Sequence, residues 1–278
     1  MRIPSMRMPS ASILSRRLAL GLGAALAAGA LAAPPALAQQ KLVVGAYPSN
    51  PPWEAKNERG EFEGFEVDLV RAIARKLGRE VEIQDLGFQA LFAATSSGRI
   101  DMAISTITIT NERLKTQSFT QGYYDSDMAL AAPANTALKG LADVRGKTLG
   151  ALATSTGETW IRANMERLGI AGIRTYNTQQ DLLLDTRNGR VDGAISDIAG
   201  LQFTFQKFAG MKIVERIPTG DRYGIMMRKG SPLLEPVNQA ITELKQDGTL
   251  AALHRKWLGA EAEPGSSTVT PGPAPAGT

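Results

Sequence analysis

The sequence contains no cysteine and only one histidine, His254, among 278 residues. Without cysteine the chain can form no disulfide, no thiolate metal site, no cysteine nucleophile and no lipid-anchored cysteine. With a single histidine, neither a multi-histidine metal site nor a Ser/His/Asp triad is expected. We therefore predict no metal site and no cofactor.

Acidic residues are absent from residues 1–38, which contain four arginines. An apolar, alanine-rich run from Leu18 to Ala33 follows, and Ala36-Leu37-Ala38 has the small-x-small pattern of a cleavage site. This pattern predicts a cleaved export signal peptide over residues 1–38 and a periplasmic mature protein. An uncleaved anchor is the alternative, but the run is short beside the roughly 20 residues of a membrane span. Ser15-Arg16-Arg17-Leu18 resembles a twin-arginine motif, so the export route stays open.

An excess of positive charge is also lacking once the predicted signal peptide is removed. The whole chain has 31 Lys+Arg against 27 Asp+Glu, and the four arginines of residues 1–38 account for the difference. A mature chain near neutrality gives no support to nucleic-acid binding or to a polybasic membrane contact. The chain is also long enough for two lobes with separate cores.

The apolar runs predict two successive series of alternating strands and helices. The predicted strands lie at 41–46, 81–83, 100–109, 147–152, 173–176 and 191–196, with helices between them at 64–78, 86–97, 159–168 and 178–188. This βαβ order predicts an α/β fold in which each lobe is a mostly parallel sheet flanked by helices. From Gly259 onward the sequence has no aromatic residue and is rich in Pro, Gly, Ser, Thr and Ala, which predicts a disordered tail over residues 261–278.

Two predicted strand-to-helix junctions combine hydroxyl side chains with a helix start. The first contains Ser105, Thr106 and Thr108, then Thr110 as an N-cap and Arg113 in the first turn. The second is the run Ser155-Thr156-Gly157 ahead of the next helix. Hydroxyls, free backbone N–H groups and a guanidinium make an anion site that suits a carboxylate. The alternative for the first junction is an edge strand that leads into a solvated helix with an exposed arginine.

A proline-rich loop follows the first predicted strand. Its three prolines stiffen it and place Tyr47, Asn50 and Trp53 at the carboxyl end of that strand, where open α/β sheets bind ligands. For Trp53 the alternative is packing against the core beneath a rigid turn.

Six segments resemble the amino-acid-binding family of periplasmic solute-binding proteins, the receptor subunits of ABC importers. They are KLVVGAYPSNPPWE, GEFEGFEVDLVRAIARKLG, LGFQALFAATSSGRIDMAISTITITNERLKTQSFT, GKTLGALATSTGET, GRVDGAISD and LKQDGTLAALHRKWLG, in family order from residue 41 to about 260. The resemblance implies a type II, two-lobed fold joined by two crossing strands near 123–127 and 218–223. Lobe 1 would comprise 41–124 plus 222–260, and lobe 2 would comprise 125–221.

The resemblance also implies roles for individual residues. Arg113 resembles the family's carboxylate-binding arginine, and Asp197 resembles its ammonium-binding acid, although an ordinary helix N-cap is the alternative for Asp197. The remaining predicted ligand contacts are Ser105, Thr106 and Thr108 in the first lobe, Ser155, Thr156 and Gly157 in the second, and Phe88, Tyr47 and Asn50 around the ligand's side chain.

The resemblance therefore implies an extracytoplasmic receptor, expected to be a monomer, that captures a free L-amino acid and delivers it to an ABC permease. A zwitterion held by Arg113 on one lobe and Asp197 on the other would favour closure. Many relatives carry an acid at the position of Tyr47 and an aromatic residue at that of Asn50, so we expect a ligand that is not strongly cationic.

Two other functions stay open from the sequence. A prephenate or arogenate dehydratase-like enzyme on the same fold would need a general acid, for which Glu54, Glu158 and Asp197 are the obvious candidates. A sensor module of a larger receptor is the other, although no membrane helix follows the last predicted helix.

Overall fold

The computed structural model describes residues 41–276, so the predicted signal peptide lies outside the described residues. The strands are β1 Leu42–Ala46, β2 Ser49–Asn50, β3 Glu54–Lys56, β4 Phe62–Glu63, β5 Val81–Asp85, β6 Met102–Ala103, β7 Gln117–Phe119, β8 Tyr124–Pro133, β9 Thr148–Leu152, β10 Gly172–Tyr176, β11 Gly193–Asp197, β12 Met211–Tyr223 and β13 Met226–Arg228. The helices are α1 Phe65–Lys76, α2 Phe88–Ser96, α3 Asn111–Thr116, α4 Thr156–Leu168, α5 Gln179–Arg187, α6 Ile198–Phe205, α7 Leu234–Gln246 and α8 Thr249–Leu258, with a 3₁₀ turn at Leu141–Asp143. Within residues 41–276, none of these helices combines the length and apolar character needed to cross a membrane.

Two five-stranded sheets form the centres of the two lobes. The first has the order β5-β1-β6-β13-β7 and the second the order β10-β9-β11-β8-β12. In each sheet three neighbouring strands are parallel, and two further strands continue the sheet in antiparallel pairing. A small antiparallel sheet, β2-β3-β4, lies beside the first. This is the two-lobed α/β fold predicted from the sequence.

Strands β8 and β12 connect the lobes. They pair antiparallel from Tyr124 opposite Tyr223 to Pro133 opposite Met211. At the first-lobe end, the Tyr123 N–H donates to the Tyr223 carbonyl at 2.9 Å, and Thr108 forms an isolated bridge with Tyr223. The crossing strands therefore meet the first lobe beside the segment that contains Thr108, and the residue numbers of the lobe boundaries stay predictions.

Trp53 belongs to the core of the first lobe. Its side chain is fully buried, and its ring packs edge-on against Phe65 of α1 at 5.5 Å and Tyr124 of β8 at 4.5 Å between centroids. Burial of a side chain of this size stabilises the fold by roughly 2–3 kcal/mol. The core-packing alternative is therefore right for Trp53.

The predicted strand over residues 100–109 is only partly correct, because it is a strand only at Met102–Ala103. Ser105 and Thr106 have φ values of 149° and 48°, which L-residues other than glycine adopt rarely. The Thr106 N–H donates to the Glu66 carboxylate at 2.8 Å, and the Ser105 hydroxyl accepts from the Tyr47 N–H at 2.9 Å. Because side chains replace ladder partners here, the strand ends and the backbone turns.

The prediction of a disordered tail does not describe residues 261–276, which pack beside the start of β8. Thr268 is 1% exposed and donates to the Tyr123 carbonyl at 3.1 Å. The Ser267 N–H donates to Asp125 at 2.7 Å, and Lys245 donates to the Thr270 carbonyl at 3.0 Å. Composition suggested disorder because few apolar groups are available here, but polar contacts to the folded domain hold this segment instead.

Candidate functional site

A cavity lies between the two lobes. It is lined by Tyr47, Ser49, Asn50, Pro51, Phe88, Ser105, Thr106, Thr108 and Arg113 from the first lobe, and by Met128, Leu152, Ser155, Thr156, Gly157, Gln179, Ser196, Asp197, Gly200 and Thr204 from the second. All 11 residues predicted from the sequence as ligand contacts are in this set. The structure thus brings the predicted residues together, while their individual roles stay predictions.

Arg113 is held at the cavity by three kinds of contact. Thr110 caps α3 by accepting from the Arg113 N–H at 3.2 Å, as predicted for this N-cap. The guanidinium donates to the Thr108 carbonyl at 2.8 Å, and its carbon lies 5.1 Å from the centre of the Phe92 ring. Burial lowers the pKa of Arg113 to about 10, which leaves the side chain charged at neutral pH. A fixed, half-buried cation is therefore available to an anionic group.

The second junction presents the N-terminus of α4. Ser155 caps this helix by accepting from the Glu158 N–H at 3.2 Å, and the N–H groups of Thr156 and Gly157 in the first turn have no intrahelical partner. A Cβ at Gly157 would lie 2.6 Å from the Ile195 carbonyl oxygen of β11. Glycine is therefore required here for the close approach of helix and strand, and it allows free N–H groups to line the cavity.

Asp197 occupies the N-cap position of α6, but its side chain makes no capping hydrogen bond. Thr110, Ser155 and Thr178 at the starts of other helices near the cavity do cap with their side chains. Burial raises the pKa of Asp197 to about 7; the nearby Asp221 carboxylate raises it too, whereas the neighbouring Tyr223 hydroxyl and the charge of Arg113 lower it. Asp197 therefore does not act as an ordinary N-cap of α6, and its carboxylate is available to a cation.

Tyr47 and Asn50 extend from the proline-rich loop to the cavity. The Tyr47 hydroxyl accepts from the N–H of Gln179, the first residue of α5, at 3.0 Å. Asn50 donates to the Thr106 hydroxyl and to the Glu54 carboxylate, both at 3.2 Å. These contacts fix both side chains, and Phe88 adds a largely buried aromatic surface.

Two hydrogen bonds cross the cavity from one lobe to the other. One is the Tyr47–Gln179 contact, and the second is donated by the Arg113 guanidinium to the Thr154 carbonyl at 3.1 Å. Thr154 has a φ of 64°, so the backbone that supplies this carbonyl is itself in a left-handed conformation. The structure is therefore a closed arrangement of the two lobes.

Several cavity residues were not predicted from the sequence. Gln179 donates to the Ser196 hydroxyl at 2.9 Å, which joins the start of α5 to the end of β11. Ser49, Pro51, Met128, Leu152, Gly200 and Thr204 also line the cavity. The Ser196-Asp197 pair follows a strand in the same way as the predicted junctions, so Ser196 had a detectable signal, whereas Gln179 and Thr204 lie in ordinary helical sequence.

The charges of the cavity are few and opposite. Among the 19 lining residues, Arg113 is the only cation and Asp197 the only acid. Of the described residues, no three His, Cys, Asp or Glu side chains are grouped as a metal would require. The arrangement suits a small zwitterion whose two charged groups meet opposite charges on different lobes.

The chain belongs to the bacterial extracellular solute-binding proteins, family 3, whose pattern matches residues 42–260. It is 32% identical over 224 residues to the L-cystine-binding protein TcyJ of Escherichia coli K12, covering 79% of this chain and 83% of that protein. It is 29% identical to the histidine-binding periplasmic protein of Salmonella typhimurium over 253 residues, covering 87% and 97% of the two chains.

Solved structures show the same fold. An ancestral arginine-binding protein bound to arginine has a TM-score of 0.74 and 35% identity, covering 79% of this chain and 99% of that one. An ancestral arginine-binding protein bound to glutamine also has a TM-score of 0.74, with 34% identity and coverage of 79% and 98%.

Proposed function

We propose that the protein is a solute-binding receptor that captures a free L-amino acid between its lobes and delivers it to an ABC permease. The observation that carries this proposal is the pairing of Arg113 and Asp197 as the two charged residues of the cavity. A free amino acid has a carboxylate and an ammonium on one carbon, and each needs an opposite charge with additional hydrogen bonds. Names of relatives that bind cystine, histidine and arginine support the ligand class.

In this proposal the carboxylate binds Arg113 and the free N–H groups at the start of α4. The ammonium binds Asp197 together with hydroxyl acceptors, for which Thr106 and Thr108 are available. Because Arg113 lies on the first lobe and Asp197 on the second, binding stabilises the closed arrangement relative to an open one.

We propose a ligand whose side chain is not strongly cationic. Tyr47, Asn50, Phe88, Gln179, Ser196 and Thr204 offer hydroxyl, amide and aromatic groups, while the single acid of the cavity is assigned to the α-ammonium. A lysine or arginine side chain would therefore lose hydration without meeting an opposite charge. Glutamine, which is bound in one of the similar ancestral structures, has the required neutral polar end.

We propose binding rather than catalysis as the activity. Of the three candidate general acids, Glu54 and Glu158 are not among the lining residues, so Asp197 alone could meet a substrate. The family to which the chain belongs consists of solute-binding proteins, and the relatives named above are amino-acid-binding proteins. Periplasmic location after removal of residues 1–38, and a monomeric state, complete the proposal.

Calorimetry with a panel of the free L-amino acids tests this function. We expect saturable binding of at least one neutral amino acid and binding at least tenfold weaker for lysine and arginine. Absence of heat and of thermal stabilisation with every amino acid at millimolar concentration would contradict the receptor proposal. Tightest binding of arginine or lysine would contradict only the neutral-ligand part. Loss of prephenate on incubation with the protein would instead support the enzyme.

A further inference from the structure

Two carboxyl groups lie together beneath the first-lobe wall of the cavity. Glu54 of β3 and Glu66 of α1 are both fully buried, and their side chains are within hydrogen-bond reach of each other. Neither residue lines the cavity itself. The pair therefore requires an explanation other than direct ligand contact.

Each carboxyl has one oxygen with protein donors and one without. Glu66 Oε1 accepts from the Thr106 N–H at 2.8 Å and from the Tyr123 hydroxyl, while Glu54 Oε1 accepts from Asn50 at 3.2 Å. Oε2 of Glu54 and Oε2 of Glu66 are buried and have no hydrogen-bond partner, although the neighbouring Ser105 hydroxyl acts on the Glu54 carboxyl and favours its ionised form. A proton between the two groups would satisfy both remaining oxygens.

The surroundings supply no positive charge to the pair. Within residues 41–276, neither Glu54 nor Glu66 forms an ion pair with a lysine or arginine. The titratable groups that act on the pair are the hydroxyls of Tyr47 and Tyr123 and the carboxylate of Asp197. Two adjacent carboxylates in such a place cannot both ionise at neutral pH without a large cost.

We propose that Glu54 and Glu66 share a single proton, and that this shared proton positions Asn50 and Thr106 at the ligand site. Asn50 is oriented by Glu54, and the left-handed Thr106 is held by Glu66 through its N–H. With the proton present, the carboxyl groups of Glu54 and Glu66 keep their positions beneath the cavity wall and continue to accept from Asn50 and Thr106. When the proton is lost, the two carboxylates repel each other, and the hydrogen bonds that orient Asn50 and Thr106 are weakened. Glu54 and Glu66 are positioning residues of the proposed binding site, so this inference rests on the proposed receptor function.

The sign of the pH effect follows from burial. Burial raises the pKa of Glu54 well above its ordinary value, and the Glu66 charge raises it further. The folded protein then keeps a proton that the unfolded chain releases above a pH of about 4.3. The stability contributed by this proton is complete below that pH and decreases as the pH rises toward the folded-state pKa.

Thermal and denaturant unfolding of the ligand-free protein between pH 5 and 8 tests the shared proton. Glu54→Gln supplies a permanent N–H donor to Glu66, so its unfolding constant should fall relative to wild type as the pH rises from 5, by up to about tenfold per pH unit until the pH passes the folded-state pKa of Glu54. The matched control is Glu63→Gln, an exposed acid of the same small sheet, which should keep the wild-type slope. Parallel curves for wild type and Glu54→Gln would overturn the proposal.

Two further measurements complete the test. Infrared spectroscopy of the Asp197→Asn protein at pH 6, where an ordinary carboxyl is ionised, should show a protonated carboxyl band, and its absence would overturn the proposal even if the Glu54 variants did not fold. With L-glutamine as the probe at pH 7, Glu54→Gln should keep its affinity within threefold, whereas Glu54→Leu should lose at least tenfold. Equal affinities of these two variants would contradict the positioning role. Failure of every amino acid to bind would refute the receptor function and leave the unfolding and infrared results unaffected.

Discussion

The two walls of the cavity are built differently. The first-lobe wall consists of side chains and of two residues with left-handed φ, Ser105 and Thr106, held by hydrogen bonds from beneath. The second-lobe wall consists mainly of the N-termini of α4, α5 and α6, which follow the ends of three strands or loops. The first wall therefore depends on side-chain chemistry, and the second on backbone groups whose direction is set by helix packing.

This difference predicts that single substitutions affect the two walls unequally. Side-chain changes in the first wall should remove affinity directly. Changes in the second wall should act through helix position and through closure, with the exception of Asp197, whose carboxylate is free of its own helix.

The largest effect is expected for Arg113→Ala. It removes the only cation of the cavity and should cost on the order of 3 kcal/mol, roughly a hundredfold in Kd, for an amino acid that wild type binds in calorimetry. Arg113→Lys should recover part of the loss, because it restores charge without two-pronged hydrogen bonding. Lys115→Ala, which changes an exposed lysine of the same helix, is the matched control and should bind as wild type. Unchanged affinity of Arg113→Ala would remove Arg113 from the site.

Asp197→Asn should be next, at about 2 kcal/mol, because an amide is a weaker partner for an ammonium than a carboxylate. Since the pKa of Asp197 is about 7 without ligand, protons compete with the ammonium below that pH. Wild-type affinity should then fall toward tenfold per pH unit as the pH decreases below 7, and the Asp197→Asn profile should be flat there.

The control for this pH profile is Asp192→Asn, which lies ahead of the same strand, β11. Asp192 accepts from the Thr148 N–H at 2.8 Å and pairs with Lys147, away from the cavity. Its profile should follow that of wild type. Identical profiles for wild type and Asp197→Asn would assign the titration to another group.

Gly157→Ala should mainly reduce stability, by about 1–2 kcal/mol, because its Cβ would meet the Ile195 carbonyl at 2.6 Å. The displaced N-terminus of α4 should also weaken binding several-fold. Thermal unfolding and calorimetry measure the two effects. Gly87→Ala is the matched control, since Gly87 has a φ of −60° and open space around its Cβ position. A fully stable Gly157→Ala protein with wild-type affinity would show that the helix start is not needed at the ligand.

The smallest effect is expected for Tyr47→Phe, which deletes the hydroxyl that accepts from the Gln179 N–H across the cavity. A neutral hydrogen bond contributes about 1 kcal/mol, or roughly fivefold in affinity. Because this contact exists only when the lobes are together, stopped-flow measurements should assign the change to faster dissociation. Slower association with unchanged dissociation would contradict a closure role.

The sequence pointed to cavity-lining residues where the local sequence has a chemical reason for a helix start, although the roles of these residues stay predictions. Arg113, Ser155 and Gly157 follow strand ends at helix starts, and the alternation of strands and helices predicted the layered fold. The strand at 100–109 was overextended because its end is decided by Glu66, which lies more than 30 positions earlier in the chain.

The missed residues share a physical reason. Gln179 reaches the cavity only because the lobes are closed and α5 begins opposite Tyr47, which no local pattern encodes. The buried Glu54–Glu66 pair is likewise a tertiary arrangement, since each acid lies in an ordinary amphipathic sequence. The contacts of segment 261–276 were missed because amino-acid composition indicates how much apolar surface a segment can bury, but not which specific polar contacts it forms.

The segment 261–276 has a practical consequence for observing the protein at work. Ser267 is bonded to Asp125, at the start of one of the two strands that connect the lobes. Because the chain has no cysteine, a cysteine introduced at the neighbouring Val269 would be its sole thiol and would accept one fluorescent label. Such a label would lie outside the ligand cavity, in a segment that is hydrogen-bonded to a connecting strand, and a ligand-dependent change in its emission would make the protein a reagentless sensor of its own ligand.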